Sequence, residues 1–250
     1  MVYGTAPEKR SPRKRSVGSN PTLSAIRRIE MIEKYSFPPK VDEWIDRFFK
    51  GLEEEPKFFQ DTEGHHNIAI NLNWKVFGEG KIDQLTSETL RQLLKQENFM
   101  TGNPNYKNPI FSEIDSNLNK VRKYLQVVRD FDGNPRKIDS LLDNTSCLHV
   151  KGAGILILTQ LLAAAHLDEY IVFHDNIYKT LQQLDIIDIG SKKDNGSRYM
   201  VINARCRRLY EEKFKERMES SHKFGLQSVH NFLWHYQYYQ IKGRWWKKDC

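Results

Sequence analysis

The sequence predicts an all-α protein, and three observations carry that prediction. Apolar residues recur at helical spacing over 41–49, 110–131 and 226–239. Helix stops are written between such stretches, as Pro38-Pro39 and Asp132-Gly133-Asn134-Pro135. No internal repeat marks a solenoid or a propeller. A chain of 250 residues is long enough to bury a substantial core.

Residues 1–22 mix Gly, Pro, Ser and cations without apolar periodicity, which predicts a disordered basic arm. Such an arm is either a solvated tail or a contact for phosphates. Helical signals begin with Ile26, Ile29, Met31 and Ile32, and Pro38-Pro39 ends them. Val41, Trp44, Ile45, Phe48 and Phe49 form a one-sided helical stripe. Over 61–77 a helix is expected, although the alternation of Ile68, Ile70, Leu72, Trp74 and Val76 also fits a strand. Thr86 begins a capped helix carrying Leu90, Leu93 and Leu94, because its hydroxyl can accept from a free first-turn amide. Residues 101–109 read as a loop, and 110–131 as one helix with Ile114, Leu118, Val121, Leu125 and Val128 on a stripe. A short helix follows at Ile138, Leu141 and Leu142, then the apolar helix 155–165 and a further short helix over 177–184. A polar loop over 190–198 and helices near 197–220 and 226–239 complete a single helical domain, 23–250.

Composition narrows the function. Lys and Arg number 39 against 32 Asp and Glu, a formal charge of +7. Residues 1–15 carry a net +4 and residues 205–250 a net +6, so the middle of the chain carries −3. Basic ends suit a polyanionic partner. No run reaches the roughly 18 apolar residues of a membrane span, and no apolar signal core follows the first cations. An intracellular protein is expected: cytoplasm or nucleoid, or nucleus in a eukaryote. Cys147, Cys206 and Cys250 are too few for a disulfide framework or a four-cysteine cluster. Neither a phosphate-binding Gly-Lys loop nor a dinucleotide fingerprint is present. The adjacent His65 and His66 point different ways on a helix, against a zinc site.

The chemistry concentrates in residues 148–184. Lys151-Gly152-Ala153-Gly154 is a Gly-x-Gly turn opening an apolar helix. Glycines permit positive φ and close backbone approach, and the helix's first amides can meet a phosphate. A tight turn between two helices with no ligand uses the same residues. Asp175, 21 residues beyond Gly154, precedes another apolar helical start. It either caps that helix or caps it and does chemistry as well.

This segment resembles the helix–hairpin–helix DNA glycosylase superfamily, the fold of 8-oxoguanine glycosylases. Val150–Gly154 takes the position of the family's Leu-Pro-Gly-Val-Gly hairpin, and Phe173-His174-Asp175-Asn176-Ile177 that of its Val-Asp-Thr-x-Val motif. The resemblance implies that the hairpin amides, with Lys151, Gly152, Ala153 and Gly154, hold a DNA phosphate. It also implies a possible monovalent cation on the hairpin carbonyls and an Asp175 that assists departure of a flipped-out base. Lys179 matches the family's basic helix. Bifunctional members carry a lysine where this chain has Leu156, so Schiff-base lyase chemistry is not expected. The departures fit either a monofunctional glycosylase or a binding domain that kept the fold without the reaction.

Phe224–Trp234 looks like the closing Leu-x-x-Val-Asp-x-Phe-Leu-Trp helix of glycosylase-like proteins encoded with bacterial defence and restriction ATPases, without its Asp. Plain core packing by Val229, Phe232, Leu233 and Tyr236 accounts for the same pattern. The tail from Lys242 interleaves Arg244, Trp245, Trp246 and Lys247. It suits phosphate contact with base stacking, or docking of the terminus onto the domain. Arg205, Arg207 and Arg208 are read at the start of a helix, where clustered cations need an anion. The expected partner is therefore DNA, contacted by Lys151–Gly154, Lys179, Arg205, Arg208, Arg244, Trp245 and Lys247. An active glycosylase using Asp175, and a subunit that uses the fold to contact a protein such as an ATPase or nuclease, are the alternatives.

Overall fold

The computed structural model describes residues 36–95, 104–188, 194–221 and 225–243. The arm 1–22, the helix expected around Ile26–Ile32, and Arg244, Trp245 and Lys247 lie outside the described residues. Those described are helical and contain no strand. The helices fall in one compact unit, Phe37–Cys250.

Proline and small polar residues set the helix starts. Helix α1 (Pro39–Glu54) and α2 (Pro56–Leu72) each open on proline, whose missing N–H and fixed φ suit the first turn. Helix α2 runs into a π-turn, Asn73–Phe77, which settles the 61–77 stretch as helical rather than extended. After α3 (Lys81–Gln84), helix α4 (Ser87–Leu94) is capped by Thr86, which accepts from the Thr89 amide at 3.1 Å, as its hydroxyl predicted. Two expectations fail next. Part of 101–109 is not loop, since α5 spans Pro104–Ser116 with Pro109 inside it. The expected single helix 110–131 is broken at Asn117, whose φ of −150° and ψ of 56° leave helical space before α6 (Leu118–Arg129). Ser112, Asp115, Ser116 and Asn117 cluster there, and short polar side chains compete for backbone groups. Ser116 indeed bonds the Ser112 carbonyl at 2.8 Å.

Helix α7 (Pro135–Leu142) is capped by Asn134, and α8 (Ile155–Ala165) follows the hairpin. Helix α8 is the apolar axle of the domain, with Ile157, Leu158, Leu161, Leu162 and Ala164 buried. It packs on α6 and α2, and the Asn73 amide bonds the carbonyls of Ala164 and Ala165 at its C-terminus. Helix α9 (Asp175–Gln183) lies against the last helix, α12 (Gln227–Lys242). Helix α10 (Asn195–Leu209) starts within the expected polar loop because Asp194 caps it, accepting from Ser197 N at 2.6 Å. It packs on α7 and continues through a second π-turn, Tyr210–Phe214, into α11 (Lys215–Ser221). Phe48 of α1 meets Phe58 and Phe232 edge-on at 5.5 and 5.6 Å, joining α1, α2 and α12. Among the described residues no helix is long and apolar enough to cross a membrane.

Candidate nucleic-acid interface

The hairpin is a tight turn closed by a bond from Ala153 N to Val150 O at 2.9 Å. Gly152 adopts φ +88°, and a Cβ there would lie 2.9 Å from Ile110 N and 3.0 Å from Pro109 Cβ. This glycine therefore serves both turn geometry and close packing against α5. Ala153 is fully buried with its amide engaged, so its side chain faces the core rather than a ligand. Gly154 is different: it is exposed, its φ is −73°, and a Cβ there would meet nothing within 4 Å. No side chain caps α8, whose first ladder bond runs from Leu158 N to Gly154 O at 3.0 Å. The amides before Leu158 are thus the helix's free donors. Lys151 is exposed beside them and holds no acidic partner among the described residues. The Val150 carbonyl already accepts an amide, while those of Lys151 and Gly152 accept none among the described backbone bonds.

Twenty residues on, buried polar side chains pin an extended segment that leads to Asp175. Thr159 of α8 accepts from Phe173 N at 2.9 Å. Asn203 of α10 accepts from Ile171 N at 2.9 Å and donates to the Glu169 carbonyl at 2.9 Å. Tyr199 donates to the Ile171 carbonyl at 2.9 Å. Ile171, Val172 and Phe173 are buried between these anchors.

The helix cap lies one residue before the position expected. His174 is the N-cap: its Nδ1 accepts from Asn176 N at 3.1 Å. Asp175 is the first helical residue, exposed, with no hydrogen bond or ion pair among the described residues. An acid there still complements the helix dipole, but it does not cap. Because Nδ1 accepts, the neutral His174 ring carries its proton on Nε2, which is buried and unpartnered. That ring and Trp234 meet in a T-shaped pair with ring centres 4.0 Å apart, and the His230 ring centre lies 5.8 Å away. Burial pushes the His174 pKa down to about 3.

Lys179 is exposed four residues after Asp175, on the same face of α9. Arg205, Arg207 and Arg208 are not at a helix start. They sit in the C-terminal part of α10, where the dipole favours cations. Arg208 is already paired with Glu212 and lies over Phe37 at 5.7 Å, and Arg205 is half-buried. Neither is brought to the hairpin by any contact described.

Sequence reasoning missed Thr159, Tyr199 and Asn203, although Thr159 interrupting an apolar helix was a usable signal. It also missed Arg198, whose guanidinium carbon lies 3.9 Å above the Tyr178 ring. No protein-family model matches the chain, and comparisons with curated proteins and with solved structures give no match.

Proposed function

We propose that this chain binds DNA through a helix–hairpin–helix glycosylase-like core whose 151–154 turn grips the phosphate backbone. The observation that carries this reading is Gly154. It is the N-cap of α8, exposed, with no side chain over the free first-turn amides and open space around its Cα, which leaves room for an external anion to approach those amides. Lys151 supplies the charge beside it, and the basic ends of the chain supply the longer-range field. The test is duplex affinity measured against salt, for the wild type and Gly154→Ser. Serine is at least as good a cap as glycine, yet its hydroxyl fills the space and takes up a free amide. Weaker binding with unimpaired stability supports the grip. Absence of duplex binding at low salt, or no weakening as salt rises, refutes it.

A second reading, an active monofunctional glycosylase, draws on Asp175. Freed from capping, its exposed carboxylate is available to stabilise a cationic sugar or to activate water at a flipped-out base. Base release from a modified or mismatched duplex, lost in Asp175→Asn while binding persists, is the expected result. Release that survives this substitution sinks the assignment.

A further inference from the structure

Arg198 holds no ion pair among the described residues. It sits in the first turn of α10, half-buried, with its Nε buried and donating to nothing. Asp194, one turn earlier, is placed for an i,i+4 ion pair but gives its oxygens to the Ser197 amide at 2.6 Å and hydroxyl at 3.1 Å. Asp139, on the neighbouring α7, accepts from Gly196 N instead. Arg47, Arg91, Arg208 and Arg217 also lie over aromatic rings, and each of these four holds a carboxylate: Glu43, Asp115, Glu212 and Asp46. Arg198 has the ring but, among the described residues, no paired acid. A guanidinium held over a ring is confined in place, and its donor fork suits two oxygens of one anion.

The position of that guanidinium matters. Tyr178, beneath Arg198, is one helical turn beyond Asp175 on α9, and exposed Lys179 follows it without an acidic partner among the described residues. We infer that Arg198, held on Tyr178 and helped by Lys179, is a seat for a phosphodiester of the bound strand beside Asp175. The inference rests on the DNA-binding reading and adds a phosphate contact separate from the hairpin.

The experiment measures affinity for a short fluorescein-labelled duplex over a range of salt, with the full chain, its Arg198→Gln variant and its Arg198→Lys variant. Arg198→Gln is expected to weaken binding about tenfold and to lower the salt slope by about one, with the thermal midpoint unchanged. Arg198→Lys should restore the slope but not the affinity, since a lysine offers charge without the fork. Wild-type affinity and slope in Arg198→Gln overturn the seat while leaving DNA binding intact. A wild type that binds no duplex removes the reading beneath it as well. Inorganic phosphate is the second probe. If it raises the thermal midpoint through Arg198 but does not compete with duplex, the seat belongs to a free phosphate and the phosphodiester assignment falls.

Discussion

Thr159 Oγ1 accepts the Phe173 amide at 2.9 Å and donates to the Leu156 carbonyl at 3.1 Å, so one hydroxyl ties the axle helix to the segment that delivers Asp175. Thr159 and Phe173 are both buried. Thr159→Val keeps the shape and removes the hydroxyl, leaving the Phe173 amide without a partner. A loss of about 1–3 kcal/mol in unfolding free energy is expected by urea denaturation. Thr159→Ser should recover most of it. A neutral Thr159→Val would show that the segment is held by packing alone.

Gly152 and Gly154 separate conformational need from ligand access. Gly152→Ala puts a Cβ against Ile110 N at φ +88°, and about 1–3 kcal/mol of destabilisation is expected. Gly154→Ser should leave the thermal midpoint unchanged or slightly raised, because its φ is ordinary and its surroundings are open. Equal thermal midpoints for the two variants would contradict the turn geometry.

The difference between what was and was not legible follows sequence distance. Helix existence depended on stripes such as Val41, Ile45, Phe48 and Phe49 and on caps such as Thr86, all within a few residues of the element they define. The hairpin was legible for the same reason. The extended segment before Asp175 was not, because its partners Thr159, Tyr199 and Asn203 stand 14, 28 and 32 residues away. The cap falls on His174 rather than Asp175. The Arg198–Tyr178 stack joins two helices across 20 positions, and only packing brings it together.

His174 should make stability depend on pH. Burial lowers its pKa from 6.5 to about 3, so between those values the unfolded chain binds a proton that the folded chain refuses. Stability is therefore complete above about pH 6.5 and declines as pH falls toward 3, by up to about 1.4 kcal/mol per unit before allowance for the partly exposed ring. Asn is a good N-cap and does not titrate in this window. His174→Asn should flatten the profile of unfolding free energy between pH 6.5 and 4. An unchanged slope would assign the acid sensitivity to other groups.

Asp139 predicts a dependence of opposite sign. Desolvation raises its carboxyl pKa, the Gly196 amide opposes that, and neighbouring Asp194 raises it further. A folded pKa above the unfolded one means that the folded chain holds the proton more tightly, so the ionised form costs stability at neutral pH and that cost vanishes as pH falls through the carboxylate range. Asp139→Asn retains an oxygen for Gly196 N, which now lies 2.9 Å from Oδ1, and turns a donor toward Asp194. The variant should be more stable than the wild type at pH 7, by a margin that closes on acidification. Thermal midpoints of both proteins across the acid range read this directly, and a margin that grows at low pH would refute the charge argument. The junction matters for function because Asp139 and Gly196 lock α7 to the first turn of α10, the turn that carries Arg198.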